Sequence, residues 1–241
     1  MRINIIIPNY NKEPFVIKCL ESCLNQTYEN LGVIFIDNDS TDNSLQLVKD
    51  FSKTHDRDFI IDVAENIYPR CWEECIEKAE QYLDGEYYTI VGSDDYLDEN
   101  YIANFCEWIK EQEEEVLAVH SDLLWVEDGK DFNYTTYKYS DIDDLKLKLV
   151  QGCAINSPTV FYSRKITEDK SLKAKPEVYS GAADYDFYCQ LVDKGIFIHN
   201  IGDWIGYHYN VNKSQATWEM HLDPINYTNV IIKKYKDKWK I

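Results

Sequence analysis

A chain of 241 residues, 44% hydrophobic and 28% charged, can bury one sizeable core and is too short for two ordinary domains of equal size. Its formal net charge of −18 argues against phosphate-backbone binding, which depends on Lys and Arg displacing condensed counterions, so no nucleic-acid partner is expected. Nine Gly, six Pro and the lack of any run of about 18 apolar residues exclude collagen-like, low-complexity and helix-spanning membrane classes.

Ile3 to Ile7 is an apolar, β-branched run ending at Pro8, which lacks an amide hydrogen, and it predicts a first buried strand. Beyond Pro14, the residues Phe15, Cys19, Leu20, Cys23 and Leu24 fall on one helical face. Leu31 to Ile36 predicts a second buried strand, followed by the capping-rich loop Asp37 to Ser44 and a helix marked by Leu45, Val48 and Phe51. Phe59 to Val63, Cys71 to Leu83 and Tyr87 to Val91 continue as strand, helix, strand. This β-α-β-α-β-α-β alternation implies a parallel sheet with helices on both faces and ligands beyond the carboxyl ends of its strands.

After Asp98 the spacing of Tyr101, Ile102, Phe105, Trp108 and Ile109 predicts a helix, then a strand runs from Val116 into Trp125, with Glu127-Asp128-Gly129-Lys130 as a turn. Regular alternation stops there. Expected next are a helix over 142–150, a strand near Thr159 to Tyr162, a helix from Asp184 to Asp193, and strands near Ile196 and Ile205. The stretch from Asn229 to Ile241 carries five lysines with Tyr235 and Trp239, a basic tail that can touch an anionic membrane surface or simply face water. Seven Cys include no CxxC pair, and Cys19/Cys23 and Cys71/Cys75 are spaced as buried helical residues. With an N-terminal apolar run too short for a signal peptide, a reducing cytoplasm is expected.

Three acidic clusters follow predicted elements: Asp37, Asp39 and Asp42 after strand two, Asp94 and Asp95 after strand four, and Asp184 and Asp186 at the start of a later helix. One Asp after a strand commonly caps a helix or fills a turn. The first two clusters, however, follow strands of one parallel sheet and face one crevice. A hard cation such as Mn²⁺ or Mg²⁺, taking carboxylate and phosphate oxygens together, would offset the repulsion between this acidic chain and a diphosphate donor. No GxGxxG follows strand one and no GxxxxGK[ST] occurs, which argues against dinucleotide dehydrogenases and P-loop enzymes.

The segment IIIPNYNKEPFVIKCLESCLNQTYENLGVIFIDNDSTDNS, the strand-to-turn sequence GEYYTIVGSDDYL and the later GAADYDFYCQL together resemble the family 2 glycosyltransferases of GT-A fold, over residues 1 to 210. The resemblance implies an α/β domain with a mixed, mainly parallel, Rossmann-like sheet. Residues 1–98 form its nucleotide-sugar half, 99–210 its acceptor half, and 211–241 a helical basic tail. It further implies that Pro8, Asn9, Tyr10 and Asn11 line the nucleotide pocket with Asp39, Arg70 and Ser93. Asp37 would accept a hydrogen bond from the base, and Asp94 would bind the metal with help from Asp95 and His208.

Asp184 matches the family's general base, which deprotonates the acceptor hydroxyl in a single inverting displacement. A UDP-linked hexose or N-acetylhexosamine is the implied donor, and a saccharide or lipid-linked saccharide the acceptor. The chain departs from the family at Gly92, where the first Asp of Asp-x-Asp is usual, at Trp72-Glu73 in place of Arg-Asn, and at Ala183 in place of Glu. Those departures favour a non-catalytic sugar- or nucleotide-binding module as the alternative. A nucleotidyltransferase would want a Gly-rich basic loop where PNYNKEP stands. Tyr134, Tyr137, Tyr179, Tyr185 and Trp204 are candidates for stacking on an acceptor sugar, although core packing accounts for each equally well.

Overall fold

The computed structural model describes residues 1–55, 57–213, 215 and 224–241. Residues 3–90 alternate as the sequence predicts. They run β1 (Ile3–Asn9), α1 (Val16–Leu24), β2 (Leu31–Asp37), α2 (Ser44–Ser52), β3 (Phe59–Val63), α3 (Cys71–Glu80) and β4 (Tyr87–Ile90). Then follow β5 (Tyr96–Leu97), α4 (Tyr101–Lys110), β6 (Ala118–Glu127), β7 (Lys130–Thr135), α5 (Ile142–Leu149), β8 (Phe161–Ser163), α6 (Pro176–Tyr179), α7 (Ala183–Asp193), β9 (Ile198–Val211) and α8 (Tyr227–Trp239). The described strands form one sheet in the order β3-β2-β1-β4-β8-β6-β9-β5, with β7 paired to β6.

Neighbouring strands from β3 to β4 are parallel, so their carboxyl ends share one edge. All seven residues of β1 and all seven of β2 are buried, as in strands covered on both faces. Ile5, Ile7, Val33 and Phe35 pack beneath α1 and α4 with Cys19, Leu20, Ile102 and Phe105. Ile6, Ile34 and Ile36 point the other way, to Cys75, Ala79, Leu145, Leu149 and Leu191. The period-two alternation along each strand thus feeds two apolar layers. Cys19, Cys23 and Cys75 are buried, while the Cys71 side chain lies outside what is described.

Beyond β4 the sheet turns mixed. β8 runs antiparallel to β4 and to β6, and β9 runs parallel to β6. Asp128 and Gly129 take φ of 51° and 74°, the left-handed pair a tight two-residue hairpin requires, and this turn, where the sequence predicts one, joins β6 to the further strand β7. The two strands expected near Ile196 and Ile205 are one. Within β9 the pairing jumps from Ser121 with Ile201 to Asp122 with Ile205, so a bulge at 202–204 interrupts a continuous strand. Asp203 sits there at φ 61° and donates its amide to Asp122 at 3.0 Å.

The bulge drives Trp204 into the core, stacked on Tyr101 at 4.5 Å. Trp204, Tyr179 and Tyr185 are buried and fill the core rather than forming an open platform. Among the five candidate stacking residues, Tyr134 is open to solvent, at 60% exposure.

Residues 214 and 216–223 of the expected basic tail lie outside the described residues. Its helix α8 is no free appendage: Ile231 and Tyr235 are buried in the same layer as Leu191 and Ile198. No helix among the described residues is long and apolar enough to cross a membrane.

Candidate active site

The loops at the carboxyl edge are built from short polar contacts. Asn9 closes β1 and donates its amide to Asp37 at 2.8 Å, to Ser44 at 3.0 Å and to Ser40 at 3.2 Å, while its backbone carbonyl accepts from the Asn38 amide at 2.7 Å. Asn11 takes the left-handed region at φ 51°, where Asn is tolerated, and its side-chain oxygen accepts from the Thr41 and Asp42 amides at 2.8 and 3.2 Å. The loops after β1 and β2 are thereby locked together.

Asp37 is fully buried, and its two oxygens accept from Asn9 and from the Ser40 amide. Expected to receive a hydrogen bond from a base, it instead ties the two loops to each other, because burial leaves its oxygens to protein donors. Pro8 is likewise buried, paired with Ile36 inside the sheet. Tyr10, at 46% exposure, and Asp39, at φ 58° and exposed, form the open lip above them.

The second wall is the turn between β4 and β5. Asp95 is 4% exposed, and its oxygens accept from the Tyr207 hydroxyl at 2.7 Å and from the Asn210 amide at 2.9 Å. Burial, with the charge of Asp94 adding to it, pushes the Asp95 carboxyl well above the usual range. The Tyr207 hydroxyl also accepts from the Gly92 amide at 3.1 Å. This arrangement explains the glycine, since a Cβ at 92 would stand 2.9 Å from the Asp95 carboxylate. Ser93 is buried in the same turn. Asp94 is less enclosed than Asp95: its Oδ2 meets Lys12 Nζ at 2.9 Å and accepts from the Asn212 side-chain amide at 2.9 Å.

His208, expected beside the metal, lies elsewhere. Adjacent residues of a strand face opposite sides, and with Tyr207 directed to Asp95 the His208 ring is carried away from it. Its Nε2 stands 2.7 Å from Asp98 and its ring stacks on Tyr96 at 4.4 Å.

Asp184 reaches the same edge by an indirect route. In the antiparallel pair Phe161 faces Thr89, so the chain just before β8, a 3-10 turn over Ser157–Thr159, lies at the carboxyl end of β4. From that turn Ser157 donates to Asp184 at 2.6 Å, and the Tyr185 amide donates to the other oxygen at 2.6 Å. Asp184 is exposed as a residue, yet the atoms packed about its carboxyl raise its pKa, and these two hydrogen bonds only partly oppose the shift. Its place in the first turn of α7 leads one to expect a lowered value; desolvation outweighs the helix dipole here.

Glu73, in the first turn of α3, is half-buried and pushed up to about 7 by burial, with Asp184 adding to the rise and Arg70 opposing it. The sequence marks Glu73 as a departure, an acid where the family carries Asn, and not as a site carboxylate; its place beside Asp184 appears only in the fold. Arg70, expected at the nucleotide pocket, is committed elsewhere, to Glu74 at 2.9 Å, Glu77 at 2.6 Å and Glu177 at 3.7 Å.

Residues 4–213 match the sequence profile described as glycosyl transferase family 2. The chain belongs to that family. Among similar proteins, the glycosyltransferase GlyG of Streptococcus pneumoniae is 27% identical over 150 residues, 62% of this chain and 49% of that protein. A poly(ribitol-phosphate) beta-glucosyltransferase of Bacillus spizizenii is 28% identical over 211 residues, 78% of this chain and 32% of that one. The chain thus spans half or less of these two relatives. An Escherichia coli UDP-Glc:alpha-D-GlcNAc-diphosphoundecaprenol beta-1,3-glucosyltransferase is 25% identical over 229 residues, covering 95% of this chain and 85% of the relative.

In fold, this family 2 chain is similar to S. aureus TarS 1–349 in complex with UDP-GlcNAc, with a TM-score of 0.73 at 20% identity over 98% of this chain and 66% of that one. It is also similar to the mannosyltransferase PcManGT of Pyrobaculum calidifontis in complex with GDP-Man and Mn²⁺, with a TM-score of 0.66 at 17% identity over 98% and 69% of the two chains.

The divalent ion that the family implies finds a poor ligand set here. Among the described residues no three His, Cys, Asp or Glu side chains gather as a metal site. Asp95 is spent on Tyr207 and Asn210, His208 on Asp98, and Asp94 already holds an ammonium.

Proposed function

We propose that this chain transfers a hexose or N-acetylhexosamine from a UDP-linked donor to a hydroxyl of a saccharide or lipid-linked saccharide, with inversion, on the cytoplasmic side. The observation that carries the reading is Asp184. It is a solvent-open carboxylate at the carboxyl edge of the parallel strands, held in one orientation by Ser157 and by the amide of Tyr185.

In the reaction Asp184 takes the proton of the acceptor hydroxyl as that oxygen attacks the anomeric carbon. The bond from that carbon to the diphosphate oxygen breaks, and the nucleoside diphosphate leaves with the electron pair. One displacement with one base needs no enzyme nucleophile and inverts the anomeric centre. Ser157 presents the carboxylate by donating to the oxygen that does not hold the Tyr185 amide. Tyr10 and Asp39, at the open lip, suit the base and ribose, and Asn9, Asn11 and Asp37 hold that lip in shape. A relative whose name states UDP-Glc, and a neighbour bound to UDP-GlcNAc, support a uridine donor.

The test is release of free nucleoside diphosphate from a panel of sugar nucleotides with saccharide and lipid-linked acceptors, comparing the wild type with Asp184→Asn and reading the product anomer by NMR. Loss of turnover in the variant and an inverted anomer are expected. Unchanged turnover, or a retained anomer, would remove Asp184 as the base of a single displacement.

A further inference from the structure

We infer that Lys12 is a diphosphate-binding residue, whose ammonium supplies at this site the positive charge that holds a nucleoside diphosphate without a divalent ion. The inference rests on the nucleotide-sugar reading above and goes beyond it. From β1 the chain steps outward through β2 and β3, then returns to the other side of β1 as β4, so the strand order reverses between β1 and β4. Ligands of open parallel sheets seat outside the carboxyl ends at such a reversal. Lys12 lies three residues after β1 and Asp94 four after β4, and their ion pair of 2.9 Å joins the two loops there.

The two side chains are only 13% and 12% exposed. A pair so far removed from water loses hydration that its attraction barely repays, so stability gives little reason for it. An ammonium carries three N–H donors and can hold a carboxylate and a phosphate oxygen together. Its loop is already in place: the Phe15 and Val16 amides donate to the Lys12 carbonyl at 2.9 and 3.0 Å, and Asn11 is pinned to Thr41. Arg70, the cation expected at the nucleotide pocket, faces three glutamates. The misfit between the carboxylates present and a metal ligand set has the same origin, since the positive charge is built into the chain.

Isothermal titration of the full chain with UDP and with uridine, in EDTA and in Mn²⁺, tests this. The wild type is expected to bind UDP in EDTA more tightly than uridine. Lys12→Met should lose about 10- to 100-fold in UDP affinity in EDTA, the range of one charge-assisted hydrogen bond, with uridine affinity unchanged. Lys12→Arg should stay within a few-fold of the wild type. Retained uridine binding shows that Lys12→Met has folded. Equal losses for UDP and uridine would make the residue a structural prop and overturn the inference, as would an unaltered UDP affinity. Binding of UDP by the wild type only in Mn²⁺ overturns it while leaving the nucleotide-sugar reading intact. Failure of UDP, GDP and dTDP alike in both buffers overturns both.

Discussion

Asp184 combines an open position with a carboxyl crowded by protein atoms, and that combination sets the pH behaviour of the proposed reaction. A base must be ionised to act. Because burial raises the pKa of Asp184 above the ordinary carboxylate value, activity should fall as pH drops through that raised value, earlier than for a solvated aspartate. A pH profile of kcat/KM should show this acid limb, and Asp184→Asn should lower the rate by about 10²–10⁴-fold and erase the limb.

Glu73 gives a second, separable effect. Its folded pKa, pushed up to about 7, lies above that of a solvated Glu. Protonation therefore favours the folded state: the contribution is complete below the unfolded pKa and is lost as pH rises through about 7. Glu73→Gln should melt higher than the wild type at pH of about 8, with the difference vanishing near pH of about 4. Equal melting shifts at both pH values would place Glu73 outside this environment.

At the scale of elements, the helix that carries Asp184 is braced by the C-terminal helix. Asp186, two residues on, is wholly buried and accepts from Lys234 at 2.7 Å, Tyr235 at 3.2 Å and Gln190 at 2.7 Å. Lys238 and Trp239 reach Asp193 at the far end of α7. Two of the lysines in the basic tail are thus occupied by α7. Losing one partner of a fully buried pair costs about 3–5 kcal/mol; because Lys234 is itself about a third exposed, Lys234→Met should cost less, on the order of 2 kcal/mol in urea unfolding. Lys233→Met, with no ion pair among the described contacts, serves as the control and should change stability by less than about 0.5 kcal/mol.

At the scale of the whole molecule, the mixed sheet is held by an aromatic layer where its parallel and antiparallel parts meet. Phe161 of β8 is fully buried, stacked on Phe105 at 4.0 Å and close to Trp204 at 6.0 Å. Phe161→Ala should cost about 3–5 kcal/mol by equilibrium denaturation, since its neighbours on α4 and β9 cannot all collapse into the space. Because β8 also positions the turn bearing Ser157, the variant's activity should fall at temperatures well below its melting point.

The four parallel strands, their helices and the two-sided burial were legible in the sequence, because apolar runs and helical spacing are local patterns that a buried sheet rewards wherever it forms. So was the edge at which Asp37 and Asp94 lie, since parallel strands must end on one side, whereas Asp184 comes to it only through the turn before β8. Local pattern could not decide the pairing of β9 with β6 across its bulge, the short β5, or the docking of α8, which rest on partners far along the chain. Nor could it decide which carboxylates stay available. Tyr207 draws Asp95 inward, Asn9 and Ser40 enclose Asp37, three glutamates occupy Arg70, and Ser157 leaves Asp184 facing water; the contacts made by Tyr207, Asn9, Glu177 and Ser157 span tens of residues and exist only once the sheet has closed.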